Sequence, residues 1–144
     1  MNIKQISVFL ENKPGTLAAM TAEIARHGID LRALSLAETK DFGIVRIIVD
    51  RIYDAATVLK DAGYVYSITS VLGVAIPDTP SGLSNVLAVL EAANINIEYM
   101  YAFLGGKSGA GAYMIFRVED ASQAAAALGA KGIKTVTQEE IENL

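Results

Sequence analysis

The sequence predicts an α+β fold built from two copies of one small βαββαβ module. Three observations support this prediction: the two halves of the chain align with each other, apolar residues recur with alternating strand and helix periods, and glycine or asparagine follows the first helical stretch of each half. The 144 residues suffice for one ordinary domain or for two very small ones.

The internal repeat has an offset of 66 residues over the first part of each copy, where residues 12–17 align with residues 78–83. Further along, the offset becomes 69, which pairs Gly63 with Gly132. A three-residue insertion in one loop accounts for the change. Because the similarity keeps its order through many elements, we interpret it as a structural repeat.

The first copy contains the pattern of a strand, a helix, two strands, a second helix and a last strand. Leu17, Met20 and Ile24 recur at helical spacing. Pro14 precedes them where a helix start tolerates a missing N–H, and Gly28 follows where a left-handed residue ends a helix. The predicted strands cover residues 3–10, 29–38, 43–50 and 65–69, and the predicted helices cover residues 17–24 and 54–62.

The second copy repeats this order, with Asn94 in the place of Gly28. Thr137 and Glu140 have the spacing of a capping box, which indicates one further helical turn. Two such units imply antiparallel sheets with helices on one face, the ferredoxin-like arrangement. We expect one domain over residues 1–70 and another over residues 71–144. The second copy's predicted strands cover residues 71–76, 95–104, 112–118 and 133–136, and its helices cover residues 81–93 and 121–128.

Composition and charge exclude several classes of protein. The net charge of −4 and the scattered basic residues do not favour nucleic acid, and no apolar run is long enough to span a membrane. The absence of cysteine and of a signal-like start leads us to expect a cytoplasmic protein. Between Val71 and Val118 only five residues are ionised at neutral pH. So apolar a stretch is expected to face another module or chain, which favours a homodimer.

No constellation of catalytic residues emerges from the sequence. The glycine-rich segment 105–111 lacks the first glycine of a phosphate-binding loop and precedes a strand instead of a helix, so we interpret it as an expanded hairpin loop. His27 is the only histidine and lies near a helix end. The acidic pairs Asp50 with Asp54 and Glu139 with Glu140 are interpreted as solvated or helix-start charges. We therefore predict no catalytic residue, no metal site and no cofactor.

The loop between the first strand and first helix carries the most distinctive motif. Copy one reads Asn12-Lys13-Pro14-Gly15-Thr16-Leu17 and later Gly28-Ile29-Asp30-Leu31; copy two reads Asp78-Thr79-Pro80-Ser81-Gly82-Leu83 and Asn94-Ile95-Asn96-Ile97. Here the sequence resembles the ACT domain family, small regulatory modules that bind amino acids. The family pattern is approximately Asp-x-Pro-Gly-x-Leu, then a helix, then Gly-Ile/Val-Asn-Ile. Both copies depart from it, since Asn12, Asp30 and Ser81 replace the usual residues.

The resemblance implies a site for a free amino acid between two modules. Free N–H groups at a helix start can hold an α-carboxylate, and an asparagine side chain suits either end of the zwitterion. Two unlike sites follow, one combining Asn12, Gly15 and Leu17 with Asn96, the other combining Asp78, Gly82 and Leu83 with Asp30. We expect the first to bind better, because two carboxylates would repel the ligand's own. The full set of expected ligand-binding residues is Asn12, Lys13, Pro14, Gly15, Thr16, Leu17, Asp30, Leu31, Asp78, Ser81, Gly82, Leu83, Asn96 and Ile97.

The sequence thus predicts a non-catalytic sensor that binds an amino acid or a similar small metabolite, and that acts on a separate enzyme of amino-acid metabolism. The main alternative is a structural or regulatory subunit of such an enzyme with no ligand of its own. A second alternative, a small ferredoxin-like enzyme, is disfavoured by the missing acid–base residues.

Overall fold

The computed structural model describes residues 2–77, 79–103 and 112–144. The chain divides into two compact units: a first unit, Lys4–Thr69, and a second unit, Ser70–Leu144 with Met1–Ile3. Asp78 and the predicted hairpin loop 105–111 lie outside the described residues, as does the predicted end of the strand at residue 104.

The first unit contains the six elements that the sequence predicts. The bounds are β1 (Ile3–Glu11), α1 (Thr16–Arg26), β2 (Leu31–Glu38), β3 (Phe42–Val49), α2 (Ile52–Asp61) and β4 (Val65–Ile76), of which β4 continues into the second unit. The strand order is β2-β3-β1-β4, and β3 pairs antiparallel with both β2 and β1. The helices cover one face of this sheet and bury Met20, Ile24 and Leu59 completely.

The second unit repeats this topology. The bounds are α3 (Gly82–Ala92), β5 (Ile97–Ala102), β6 (Ala112–Val118), α4 (Ala121–Ala130), β7 (Thr135–Val136) and α5 (Gln138–Glu142). β4 pairs with β6 and with β7, and β6 pairs with β5, all antiparallel, so the order is β7-β4-β6-β5. This is the first unit's order with each strand replaced by its repeat equivalent, and it confirms the predicted pair of ferredoxin-like modules. The core of the second unit includes Phe116, Leu90 and Leu128.

The ends of α1 and α3 confirm the predicted left-handed residues. Gly28 has φ of 70° and Asn94 has φ of 58°. After α1, the Gly28 amide donates to the Ala25 carbonyl and the Ile29 amide to the Ile24 carbonyl, which is a Schellman motif. The same two bonds follow α3. This motif explains why the next strands begin two residues later than predicted, since Ile29 belongs to the turn.

Three other features differ from or refine the predicted elements. The predicted strands 65–69 and 71–76 form one strand, β4, because no glycine or proline interrupts residues 69–72. Pro14 lies two residues before the first helical residue of α1, and Gly15 is the N-cap. The predicted capping box is confirmed: the Thr137 hydroxyl accepts from the Glu140 amide at 3.1 Å, and the Glu140 carboxylate accepts from the Thr137 amide.

Exposed apolar side chains concentrate in the first unit. Of the seven large hydrophobic side chains exposed in the described residues, six lie in the first unit and only Leu83 in the second. Among the described residues of the second unit, the other large apolar side chains are buried or half-buried. Among the described residues, no helix is long and apolar enough to cross a membrane.

Candidate functional site

The loop between β1 and α1 is held in place by bonds to its own unit. The Asn12 amide donates to the Asp41 carbonyl at 3.0 Å, and its side-chain Nδ2 donates to Glu38 Oε2 at 3.1 Å and to the Thr39 carbonyl at 3.3 Å. The Thr16 hydroxyl donates to the Glu11 carbonyl at 2.8 Å. The side-chain donor of Asn12 is therefore engaged by the β2–β3 turn, which leaves its Oδ1 as an acceptor.

The start of α1 leaves backbone amides without acceptors. Gly15, the N-cap, has φ of 89°, and no side chain caps the helix. Within the part of the chain that the structure describes, the amides of Gly15, Leu17 and Ala18 have no acceptor. The first turn of α1 contains no acidic residue either. Unpaired amides at the positive end of a helix dipole form a place for an anion, which suits the α-carboxylate expected here.

Most residues of this loop are exposed, and Thr16 and Leu17 are half-buried. Pro14 is exposed, and Lys13 is exposed and pairs with Glu11 at 2.9 Å. Leu17 packs against the core of the first unit, so it anchors the helix start. Its side chain therefore has a structural role in the loop.

The equivalent loop of the second unit has a different backbone. Ser81 is the N-cap of α3, and its φ of −98° is ordinary, whereas the aligned Gly15 is left-handed. Gly82 is needed for space: a Cβ there would lie 2.1 Å from the Pro77 carbonyl oxygen. Leu83 is 37% exposed. The two loops are thus aligned in sequence but differ in which residue must be glycine and why.

The starts of β2 and β5 share a β-bulge at equivalent positions. The register shifts between Leu31 and Ala33 in one unit and between Ile97 and Tyr99 in the other. Bulges redirect side chains and are frequent beside functional sites. Leu31 and Ile97 pack against their own cores, while Asp30 and Asn96 are exposed.

The bulged residues are charged and were missed by the sequence reasoning. Arg32 forms an ion pair with Asp30 in the first unit. In the second unit, Glu98 faces Arg117 at 3.5 Å, and Arg117 also donates to the Ser70 carbonyl. Their identical repeat position, directly after the motif, is the signal that could have drawn attention to them. Since Arg32 offsets the charge of Asp30, repulsion at the second predicted site is weaker than two bare carboxylates would give.

Within one unit, the loop and the start of the second strand lie at opposite ends of the sheet. Asn12 is bonded to Glu38, at the far end of β2 from Leu31. Seven residue steps along a strand span about 23 Å. One module alone cannot bring Asn12 and Asp30 to one ligand, so a site built from both kinds of segment needs two modules.

Asn96 lies beside a polar recess of the second unit. The recess has a volume of about 640 Å³, and its wall also includes Asn2, Asn94, Asp120 and Gln123. Asp120 Oδ1 already accepts from the Gln123 amide at 3.0 Å and caps α4. Asn96 is exposed to solvent here.

The acidic candidates have structural partners. Asp50 Oδ1 accepts from the Asp30 amide at 3.0 Å, and Asp54 pairs with Arg51 at 3.3 Å. The Lys134 ammonium lowers the pKa of Glu140, and Thr137 adds to this effect, while burial opposes it.

The single histidine of the sequence lies at a helix end. His27 is the C-cap of α1 and contacts the Glu23 carbonyl at 3.0 Å. No metal-binding group of three His, Cys, Asp or Glu side chains occurs among the described residues.

The repeated topology defines the class of this chain as a tandem pair of ferredoxin-like modules. The sequence profile of the ACT domain pair matches residues 1–144, and the chain therefore belongs to the ACT domain family. It is similar to the solved structure of protein BT0572 from Bacteroides thetaiotaomicron, with a TM-score of 0.91 and 36% identity over 100% of this chain and 98% of that chain.

Two further structures share the fold at low identity. The regulatory subunit of aspartate kinase from Thermus thermophilus, in its ligand-free form, gives a TM-score of 0.64 at 18% identity over 90% of each chain. The regulatory subunit of aspartate kinase from Thermus flavus gives 0.58 at 15% identity over 90% of this chain and 92% of that chain. No match was found among curated proteins.

Proposed function

We propose that this chain is a non-catalytic regulatory protein that binds a free amino acid, or a similar small metabolite, between two ACT modules. The modules are those expected over residues 1–70 and 71–144, and they come from one chain or from two copies of it. The uncapped start of α1, with unpaired amides at Gly15, Leu17 and Ala18, is the observation that carries the proposal. These amides match the negative end of a zwitterion.

The loop after the first strand and the start of the second strand lie at opposite ends of one module's sheet. This placement supports a site shared between two modules. The first loop offers amides and Asn12 Oδ1, and a second module would bring the exposed amide of Asn96. Ligand held across such an interface stabilises it by mass action, so occupancy and association reinforce each other. This coupling is how a chain without catalytic residues would transmit the presence of its ligand.

The proposed partner is a separate enzyme of amino-acid metabolism, contacted by a cytoplasmic homodimer of this chain. Regulatory subunits of an aspartate kinase share the fold, which is a precedent for a regulatory chain distinct from its catalytic partner. The exposed apolar side chains of the first unit, such as Phe42 and Leu36, provide surface for such contacts.

A thermal-shift screen of the full chain against the twenty amino acids tests the proposal, followed by calorimetry on the best hit. Asn96→Ala should weaken binding by about 1 to 3 kcal/mol, because the ligand group that it pairs with stays buried and unpaired. Asn143→Ala, at an exposed asparagine outside the expected binding set, is the matched control and should leave binding unchanged. If none of the twenty amino acids raises the unfolding temperature, the proposed sensor is contradicted. That result would favour the alternative, a subunit with no ligand of its own.

A further inference from the structure

Each unit contains a recess at the same position of the repeat. In both, it lies where the first strand of the module ends, beside the turn that leads from the second helix into the last strand. The volumes are about 310 Å³ in the first unit and about 280 Å³ in the second. The shared walls of the first recess are formed by Phe9, Leu10, Glu11, Gly63, Tyr64 and Val65. Their repeat equivalents form the second recess: Ala75, Ile76, Pro77, Gly132, Ile133 and Lys134.

The first recess combines apolar walls with a carboxylate. Phe9 is 46% exposed and Val65 is 68% exposed, so both present large apolar surface to whatever enters. Glu11 also lines this recess, and its ion pair with Lys13 is mostly solvated. An exposed ion pair of this kind contributes little free energy, so Glu11 can still bind another cation. Apolar walls next to one anion suit an apolar group that carries an ammonium.

The second recess lies at the same position of the repeat, but its wall residues differ in charge and size. Proline replaces the carboxylate at residue 77, alanine replaces the aromatic ring at residue 75, and Lys134 stands where the first recess has Val65. The Lys134 ammonium pairs with Glu140 at 3.2 Å and is largely exposed. Glu140 does not line the recess, and its carboxylate also accepts from the Thr137 amide in the capping box, so the recess itself presents a cation and no carboxylate to an ammonium. The two recesses therefore favour different ligands.

Thr16 connects the first recess to the amino-acid loop. It lines the recess and is also the first residue of α1, next to the unpaired amides. A ligand with its carboxylate on those amides would place its remaining atoms towards the recess. The volume is near the lower end of the roughly 300 to 1,000 Å³ typical of small-molecule sites, as expected for one amino acid.

We infer that the ligand of the first unit is an amino acid with an apolar side chain, which lies against Phe9, Tyr64 and Val65 with its α-ammonium at Glu11. The equivalent recess of the second unit does not take this ligand. This inference rests on the proposed function and adds to it the class of amino acid and the unit that recognises it.

An exchange of residues between the two recesses provides the test. Calorimetry on the full chain with leucine, isoleucine and phenylalanine should show binding, whereas aspartate and lysine should bind at least tenfold more weakly. Val65→Lys, which copies the second recess, should weaken leucine binding about tenfold or more. Lys134→Val, the reverse change in the second recess, should leave leucine affinity within twofold. Both side chains are largely exposed, and unfolding temperatures of both variants check that they fold.

A second variant examines the carboxylate. Glu11→Gln should weaken leucine binding about tenfold while keeping the shape of the recess. The inference is overturned if aspartate or lysine binds as tightly as leucine, or if Val65→Lys leaves leucine binding unchanged. In either case an amino acid still binds, so the proposed function survives. If none of the twenty amino acids binds, both the inference and the proposed function fail.

Discussion

Gly82 and Gly15 lie in equivalent loops, but each is glycine for a different reason. Substitution with alanine should therefore lower the free energy of unfolding by different amounts at the two positions. At Gly82 the added Cβ would lie 2.1 Å from the Pro77 carbonyl oxygen and 3.2 Å from Ile76 Cγ2. The nearer atom belongs to the backbone and cannot rotate away, so the chain must shift by about 1 Å to reach an ordinary C···O separation. Overpacking of this kind costs about 1 to 3 kcal/mol, and we expect Gly82→Ala near the upper end.

The aligned Gly15 faces open space, since no atom lies within 4 Å of an added Cβ, but its φ is 89°. A left-handed conformation costs a non-glycine residue about 1 to 2 kcal/mol. Alanine also restricts the unfolded chain, which offsets about 0.4 to 1 kcal/mol of this cost. Gly15→Ala should therefore lower the free energy of unfolding by about 1 kcal/mol. Gly15→Asn should cost less, because asparagine tolerates this region, as Asn94 does in this chain.

Gly129 is the control, because it lies inside α4 with open space and no positive φ. Gly129→Ala should stabilise the chain by about 0.5 to 1 kcal/mol through helix propensity. Urea unfolding followed by circular dichroism gives all four values, provided that the slopes agree among the variants. If Gly82→Ala costs no more than Gly15→Ala, the close approach to Pro77 is not a constraint, and the reasoning from Cβ placement is refuted.

Three further predictions concern the second unit and a surface control. Thr137→Ala removes a capping box and should lower the free energy of unfolding by about 1 kcal/mol, measured by urea unfolding. The pKa of Glu140 is lower in the folded chain than its ordinary value of 4.5, so its stabilising effect is present above that pH and is lost as the pH falls further; Glu140→Gln should reduce this acid dependence in pH-resolved thermal unfolding. Phe116→Ala should cost about 3 to 5 kcal/mol because the ring is fully buried, whereas Phe42→Ala, at an exposed ring, should change stability by less than about 0.5 kcal/mol in the same assay.

The fold could be predicted from the sequence because its determinants are local and occur twice. Gly28 and Asn94 end helices through their own backbone conformation, and Thr137 with Glu140 satisfies a helix start within four residues. Such features depend on neighbours in sequence and are visible there. The recurrence of the Gly28 helix end at Asn94, 66 residues later, made each copy a check on the other.

The details of the candidate site depend on tertiary neighbours and could not be predicted in the same way. Residue 82 must be glycine because the Pro77 carbonyl lies so close to it, and this distance cannot be inferred from the sequence. The bulge beside Leu31 follows from strand pairing, not from an unusual residue. The recess at Phe9 requires the turn at Gly63, more than fifty residues away, to be placed beside it.

Divergence between the copies leads to a prediction of stoichiometry. Both units keep the same strand order, helix ends and bulge, so the fold imposes the same geometry on each. The two recesses differ in their wall residues, since Glu11 is matched by Pro77 and Val65 by Lys134. We expect this loss of an anionic wall residue and gain of a cationic one to change which ligand each recess prefers.

We therefore expect calorimetry with leucine to show one ligand per chain. Two equal sites per chain would show that Lys134 and Pro77 do not discriminate. A double variant, Lys134→Val with Pro77→Glu, should raise the stoichiometry towards two if the recess chemistry alone decides occupancy. If the double variant stays at one ligand per chain, the asymmetry arises elsewhere, and the different backbones of the two loops at Gly15 and Ser81 become the better explanation.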